Sequence, residues 1–420
     1  MDSGNFLTVL RVHIIQKEML MNKNNQKKNA GALIGAAFLM ATSAIGPGFL
    51  TQTATFTGQL GADFGFAILI CILVDIVVQL NIWRIIVVAG KRAQVVANDV
   101  FPGLGYLLSA LVAIGGLFFN IGNVGGAGLG LNVLFGISPQ AGAVLIGIFS
   151  IIVLVIKDAL KAVDRTVQVL AAIIVLVLIY ILCVMKVPYQ TAVVHTFKPT
   201  HIDFYSILTI VGGTVGGYIS FAGGHRLLAG GASGQKDIKY VNEGALTGIG
   251  LASIVRVMLF LAGLAVVTAG YKLDPANPAA SIFKYAAGNF GYKFFGLVLI
   301  AAGLSSVLGS TFTSVSFLDY AVSKKGNAKF DQFRSWITIG FIVFATAIFY
   351  FIGQPAKVLV VVGALNGFIL PIALGILLVA AHKSKIMGSD YHHPAWLTWT
   401  GWIVVAFMAY SSIAAVMKLL

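Results

Sequence analysis

Gly46, Pro47 and Gly48 stand inside an apolar run, residues 31–57, that has the length of a membrane helix. Proline removes a backbone donor and clashes with the turn before it, and the flanking glycines add backbone freedom. In hydrocarbon every freed N–H and C=O needs a partner. Such an interruption therefore survives only where it is buried in protein or lines a cavity. The sixth apolar run, 204–230, is interrupted in the same way by Gly212-Gly213-Thr214-Val215-Gly216-Gly217. An interrupted helix at the head of each of two five-helix halves marks a solute-binding site near the bilayer midplane. Both helices are expected to be unwound over Gly46–Gly48 and Gly212–Gly217.

The rest of the chain reads as further spans. Apolar runs follow at about 65–89, 104–134, 138–157, 166–186, 244–269, 293–322, 335–352, 356–382 and 396–418, which with the two interrupted ones makes eleven. With 58% hydrophobic and 10% charged residues, the chain is an all-α polytopic membrane protein, and the long unalternating runs exclude a barrel. Placing the N-terminus in the cytoplasm puts 19 of the 28 Lys and Arg on inside segments and 7 outside, with Arg84 and Arg256 in spans. That bias accounts for the net charge of +14 as topology, so nucleic acid is not a partner. Localisation in the cell membrane follows, the bilayer being the one necessary partner. The organisation expected is a cytoplasmic tail at 1–30, five-helix repeats at 31–186 and 204–382, and an added helix at 396–418. The segment Ser281–Tyr285 reads as a short amphipathic helix in the longest outside loop.

Two charged residues lie deep in spans. Arg256 is about twelve residues from either end of span seven and cannot snorkel to an interface. An unpaired arginine there costs roughly 3 kcal/mol or more. Asp75 is the acidic residue deep in span two. Either the two form a structural ion pair, or Arg256 awaits an anionic substrate and Asp75 carries protons. After the first interruption, Thr51, Gln52 and Thr53 are candidates for substrate contact, although hydroxyls in helices commonly bond their own backbone. Tyr218 offers a hydroxyl or simply packs, and Phe49 forms an apolar wall. Cys71 and Cys183 read as core packing, and the glycines at 122–130 and 212–217 permit close helix packing rather than cradling phosphate. No nucleophile–base set, catalytic carboxylate pair or cofactor motif is present, which argues against an enzyme. Nor does any feature call for an obligate protein partner.

The anchors Gly46-Pro47-Gly48, Gly126–Ser138 (GAGLGLNVLFGIS), Ala301–Ser306 (AAGLSS) and Leu370–Leu374 (LPIAL) resemble the natural resistance-associated macrophage protein (NRAMP) family of proton-coupled divalent-metal transporters. The similarity runs from about Gly31 to the end. It implies the LeuT fold: two inverted five-helix repeats plus one helix, with helices 1 and 6 broken. It also implies where a substrate would bind, and there this chain departs. The family's DPGN ligands align with Gly46 and Phe49, its MPH motif with Gly216, Gly217 and Tyr218, and its span-three carboxylates with Asn120 and Asn123. At Arg256 the family has a neutral asparagine. The family's ligands for a hard or borderline metal are thus absent, and a cation has been gained.

The expected function is uptake of a small organic anion by alternating access, coupled to H⁺ or Na⁺. The substrate residues are Gly46, Gly48, Phe49, Thr51, Gln52, Thr53, Asn120, Asn123, Gly216, Gly217, Tyr218 and Arg256. Asp75, Ser305 and Ser306 are the coupling-ion candidates, and no metal site or cofactor is expected. The resemblance is to a branch encoded beside 5-oxoprolinase subunits, which implies 5-oxoproline as the first compound to try. The alternatives are a divalent cation such as Mn²⁺ or Mg²⁺, and a non-transporting sensor of the same ligand.

Overall fold

Apolar runs of this length have one stable form in a bilayer, a helix that satisfies its own backbone. The structure, a computed structural model, describes residues 45–156, 159–322 and 328–419. The tail at 1–30 and the first half of span one lie outside these residues. Nine helical stretches are long and apolar enough to cross a membrane. One of them is two helices, α1 (Pro47–Leu60) and α2 (Phe64–Ala89), joined by a 3-10 turn at Gly61–Asp63. Counting these separately, and adding the shorter apolar helix Pro139–Val155, gives eleven among the described residues.

The spans continue with α4 (Leu104–Phe135), α5 (Pro139–Val155) and α6 (Ala159–Val184), a short α3 (Ala93–Val100) preceding them. A second short helix, α7 (Tyr189–Phe197), leads to the interrupted pair α8 (Phe204–Val215) and α9 (Ile219–Ala229). Then come α10 (Ile238–Thr268), α11 (Pro278–Val322), α12 (Ala328–Ile352), α13 (Pro355–Ala381), the single turn α14 (Ser384–Met387) and α15 (Ala395–Leu419). No strand occurs among the described residues. The first part of α11 is the amphipathic helix expected near Ser281. It ends in a kink at Ala287 and Gly288, and its Ile282 and Phe283 are wholly buried against the bundle.

Glycines set how closely the helices approach. A β-carbon on Gly128 of α4 would stand 2.6 Å from the Pro139 carbonyl of α5, and one on Gly130 would stand 2.5 Å from the Gly296 carbonyl of α11. At Gly212 of α8 it would overlap the backbone of Gly363 and Gly367 in α13. Small residues of this kind let membrane helices pack backbone to backbone. The end of α4 is closed by Lys293, which donates to the Val133 and Leu134 carbonyls at 2.7 Å each, an arrangement that also suits the helix dipole. One expectation fails here. Cys183 on α6 is exposed on the outer face of the bundle rather than packed in its core.

Candidate functional site between two interrupted helices

Among the described residues, less of each glycine-containing segment is unwound than the sequence implies. Helix α1 starts at Pro47, with Gly46 as its extended cap (φ −88, ψ −179), so Gly48 lies in the first helical turn and is not unwound. Proline at the first helical position has no amide to leave unbonded, which is why the helix starts there. In the sixth span, Gly212 to Val215 remain helical and the break is confined to Gly216, Gly217 and Tyr218. Gly212 stays helical because the Gly216 amide donates to its carbonyl at 3.1 Å. Ser220 closes the gap by donating across it to the Val215 carbonyl at 2.5 Å. The N-termini of α1 and α9 both begin at these breaks, and each presents the positive end of a helix dipole there.

Arg256 reaches this junction from α10. It is 2% exposed and touches three other helices. Its Nη2 donates to Thr214 Oγ1, in the last turn of α8, at 2.8 Å. Its Nη1 donates to Cys71 Sγ of α2 at 3.0 Å. The guanidinium carbon lies 4.1 Å from the centre of the Phe49 ring, in the first turn of α1. Phe49 is thus a cation–π platform as well as an apolar wall. Asp75, also 2% exposed, accepts a hydrogen bond from the Cys71 thiol on Oδ2 at 3.4 Å. The thiol therefore stands between the carboxylate and the guanidinium. The sequence reads Cys71 only as core packing and Thr214 only as part of the sixth-span interruption. Their one signal was position: Cys71 lies a helical turn before Asp75, and Thr214 lies within the sixth-span interruption.

Other candidates divide. Gln52 donates Nε2 to the Leu359 carbonyl of α13 at 2.8 Å, while its Oε1 has no partner. Thr51 Oγ1 is likewise buried and unpartnered. Thr53 gives its hydroxyl proton to the Phe49 carbonyl at 2.8 Å, within its own helix. Asn120 is spent between helices: it donates to Thr311 of α11 at 2.6 Å and accepts from Ser310 at 2.5 Å. Asn123 keeps a buried Nδ2 without a partner. The Tyr218 ring meets Phe119 edge-on at 5.2 Å, and its hydroxyl lies beside Ser310 and Asn123. Ser305 is half-buried and Ser306 buried on α11, but the α11 hydroxyls that engage α4 are Ser310 and Thr311.

Asn366 of α13 is a further residue not anticipated. Its amide donates to the Val362 carbonyl at 3.0 Å and to the Gly115 carbonyl of α4 at 3.3 Å. Its Oδ1 has no partner and lies against Gly217. Buried polar atoms are normally satisfied. Here Thr51, Gln52, Asp75, Asn123, Arg256 and Asn366 each keep one that is not. They belong to the helices that meet at the two breaks.

Nine helical stretches of membrane length, with the start of α1 and the break between α8 and α9 brought together around buried polar groups, define a multi-pass membrane transporter of LeuT-type fold. The chain belongs to the NRAMP family: the model for natural resistance-associated macrophage protein-like sequences matches residues 37–418. It is 55% identical to YcsG of Bacillus subtilis (strain 168), an uncharacterized membrane protein, over 93% of this chain and 96% of that one. It is 24% identical to the divalent metal cation transporter MntH of Klebsiella pneumoniae (strain 342), over 90% of this chain and 92% of that one. The crystal structure of a mutant manganese transporter from Eremococcus coleocola superposes with a TM-score of 0.70 at 17% identity, covering 94% of this chain and 87% of that one.

Proposed function

We propose that this NRAMP-family transporter carries a small organic anion, bound between the two helix breaks and gripped by Arg256. The observation behind this reading is the position of that guanidinium, which lies against both Phe49 and Thr214, one residue from each broken helix. A guanidinium in a water-poor site beside the N-terminus of α1 favours a carboxylate over a cation. Movement is by alternating access, coupled to H⁺ or Na⁺, with the N-terminus in the cytoplasm of a cell whose inner membrane holds the protein. The two inverted repeats are 31–186 and 204–382. No feature of the site selects 5-oxoproline over other small carboxylates, so it enters as one test compound among several.

A second reading has its own support. The names of the 24% identical relative and of the superposed structure speak for a divalent cation, and they favour it over any particular carboxylate. Against it stands the donor set. Among the described residues no group of three His, Cys, Asp or Glu is placed to hold a metal. A cation would have to rely on backbone carbonyls and retained water beside a buried arginine.

Uptake into proteoliposomes separates the two. Labelled monocarboxylates, including 5-oxoproline, are run beside Mn²⁺ and Mg²⁺. A charge-assisted hydrogen bond is worth about 1.5–3 kcal/mol. Arg256→Ala is therefore expected to weaken carboxylate binding about ten- to a hundred-fold, and Arg256→Lys nearly as much, because lysine lacks the fork. Amidating the substrate should mimic the Arg256→Ala loss without adding to it. Saturable Mn²⁺ uptake that survives Arg256→Ala would overturn the anion reading. So would a monodisperse Arg256→Ala protein that binds the acid as tightly as the wild type.

A further inference from the structure

The contacts of Asp75 and Arg256 run through one side chain. Arg256 donates Nη1 to Cys71 Sγ at 3.0 Å, and the same thiol donates to Asp75 Oδ2 at 3.4 Å. All three residues are buried, Cys71 completely. The relay is open at both ends, since Asp75 Oδ1 and Arg256 Nε have no partner. The charged and titratable groups that act on Asp75 are Arg256 from α10 and Cys71 from its own helix. The other helices at this point, α8 and α1, present the uncharged Thr214 and Phe49.

We propose that Cys71 makes anion binding at Arg256 depend on a proton at Asp75. This inference rests on the anion reading above. With Asp75 ionised, the carboxylate accepts a hydrogen bond from the thiol, the sulfur accepts one from the guanidinium, and the two charges cancel along the line. An anion arriving at Arg256 then competes with a carboxylate already in place. With Asp75 protonated, the guanidinium is the one net charge of the relay, and an incoming anion replaces the lost negative charge. The proton comes from water and adds to a carboxylate oxygen, and no bond to sulfur is made or broken. The loaded site then holds a neutral Asp75, Arg256⁺ and the anion. Proton and anion thus enter as a pair with no net charge, and each raises the affinity for the other by the same factor.

Two readouts on the purified full-length chain test this. The first needs no ligand. Infrared difference spectra between pH 5 and pH 8 should show the C=O stretch of a protonated carboxylic acid. That band should be absent in Asp75→Asn and shifted in Cys71→Ser. If no band of the wild type depends on Asp75, the coupling is overturned whatever the substrate is. The second is binding of labelled monocarboxylates, whose own carboxyls stay ionised at both pH 5.5 and pH 7.5. The wild type should bind about five- to a hundred-fold more tightly at pH 5.5, the usual range of coupling between two sites. Asp75→Asn should bind tightly at both pH values. Cys71→Ala should keep binding but lose most of the pH dependence, and Cys71→Ser, which can both donate and accept, should restore part of it. A wild-type pH ratio in Asp75→Asn or Cys71→Ala overturns the relay and leaves the anion reading standing. Failure of the wild type to bind any carboxylate at either pH brings down the anion reading, and this coupling with it.

Discussion

Gly217 has a φ of +55 and lies against Asn366 in the sixth-span break. Only glycine takes that backbone conformation without strain, and a β-carbon would also overlap the Asn366 side-chain amide. Gly217→Ala is therefore expected to lower the thermal midpoint in detergent, the backbone term alone costing about 1–2 kcal/mol. Adding Asn366→Ala removes the overlap but not the strained φ, so the double variant should recover part of the loss. A Gly217→Ala protein that melts with the wild type would show that the break can be rebuilt without glycine. Little of this was legible in sequence. The glycines announced an interruption, but the strained one and its neighbour on α13 were fixed by chain segments about 150 residues apart. Arg256 was legible, because its depth in span seven is a property of spacing. Cys71 was not, because a cysteine in an apolar run carries no mark of what faces it.

At the scale of elements, the glycine-rich face of α4 packs closely on α5 and α11, and the Asn120 amide reinforces the α4–α11 contact with its bonds to Thr311 and Ser310. Removing one partner of a buried hydrogen bond costs about 1–3 kcal/mol. Ser310 keeps the Val307 carbonyl as a second acceptor, and Thr311, which loses only a donor, goes on donating to that same carbonyl, so the loss should fall at the low end. Asn120→Ala is expected to destabilise by about 1 kcal/mol while leaving carboxylate affinity within about twofold, since the amide lies between helices. An affinity loss as large as that of Arg256→Ala would place Asn120 on the substrate instead. The sequence placed Asn120 in the site through its alignment with a family carboxylate. Such an alignment fixes the position along the helix but not the company the side chain keeps.

The whole molecule is also tied together outside the spans. The segment before α15 folds back so that the Tyr391 hydroxyl bonds His393 Nδ1 at 2.9 Å, and His393 Nε2 bonds Asn81 Oδ1 of α2 at 2.9 Å. Asn81 in turn donates to the Leu397 carbonyl of α15 at 3.2 Å, so its oxygen must accept and His393 Nε2 must donate. Burial, and then the positive charges of Arg84 and His382, hold the His393 pKa down at about 4. The unfolded chain takes up this proton below about pH 6.5, the folded chain only below about pH 4. Its contribution to stability is thus complete above pH 6.5 and lost as pH falls from there to 4. Melting temperatures measured between pH 7.5 and pH 4.5 should fall more steeply for the wild type than for His393→Asn, and equal slopes would refute this. By itself the sequence determined the membrane class, the run of apolar helices and the sixth-span interruption. Each follows from hydropathy, length or backbone chemistry, and these act within a single segment. The tertiary structure alone decided which polar groups meet at the interruptions. It put a thiol between Asp75 and Arg256, spent Thr53 and Asn120 on neighbouring backbone and hydroxyls, and brought Asn366 to Gly217. Those pairings depend on how separate helices are rotated and stacked, and no local pattern in the chain encodes that.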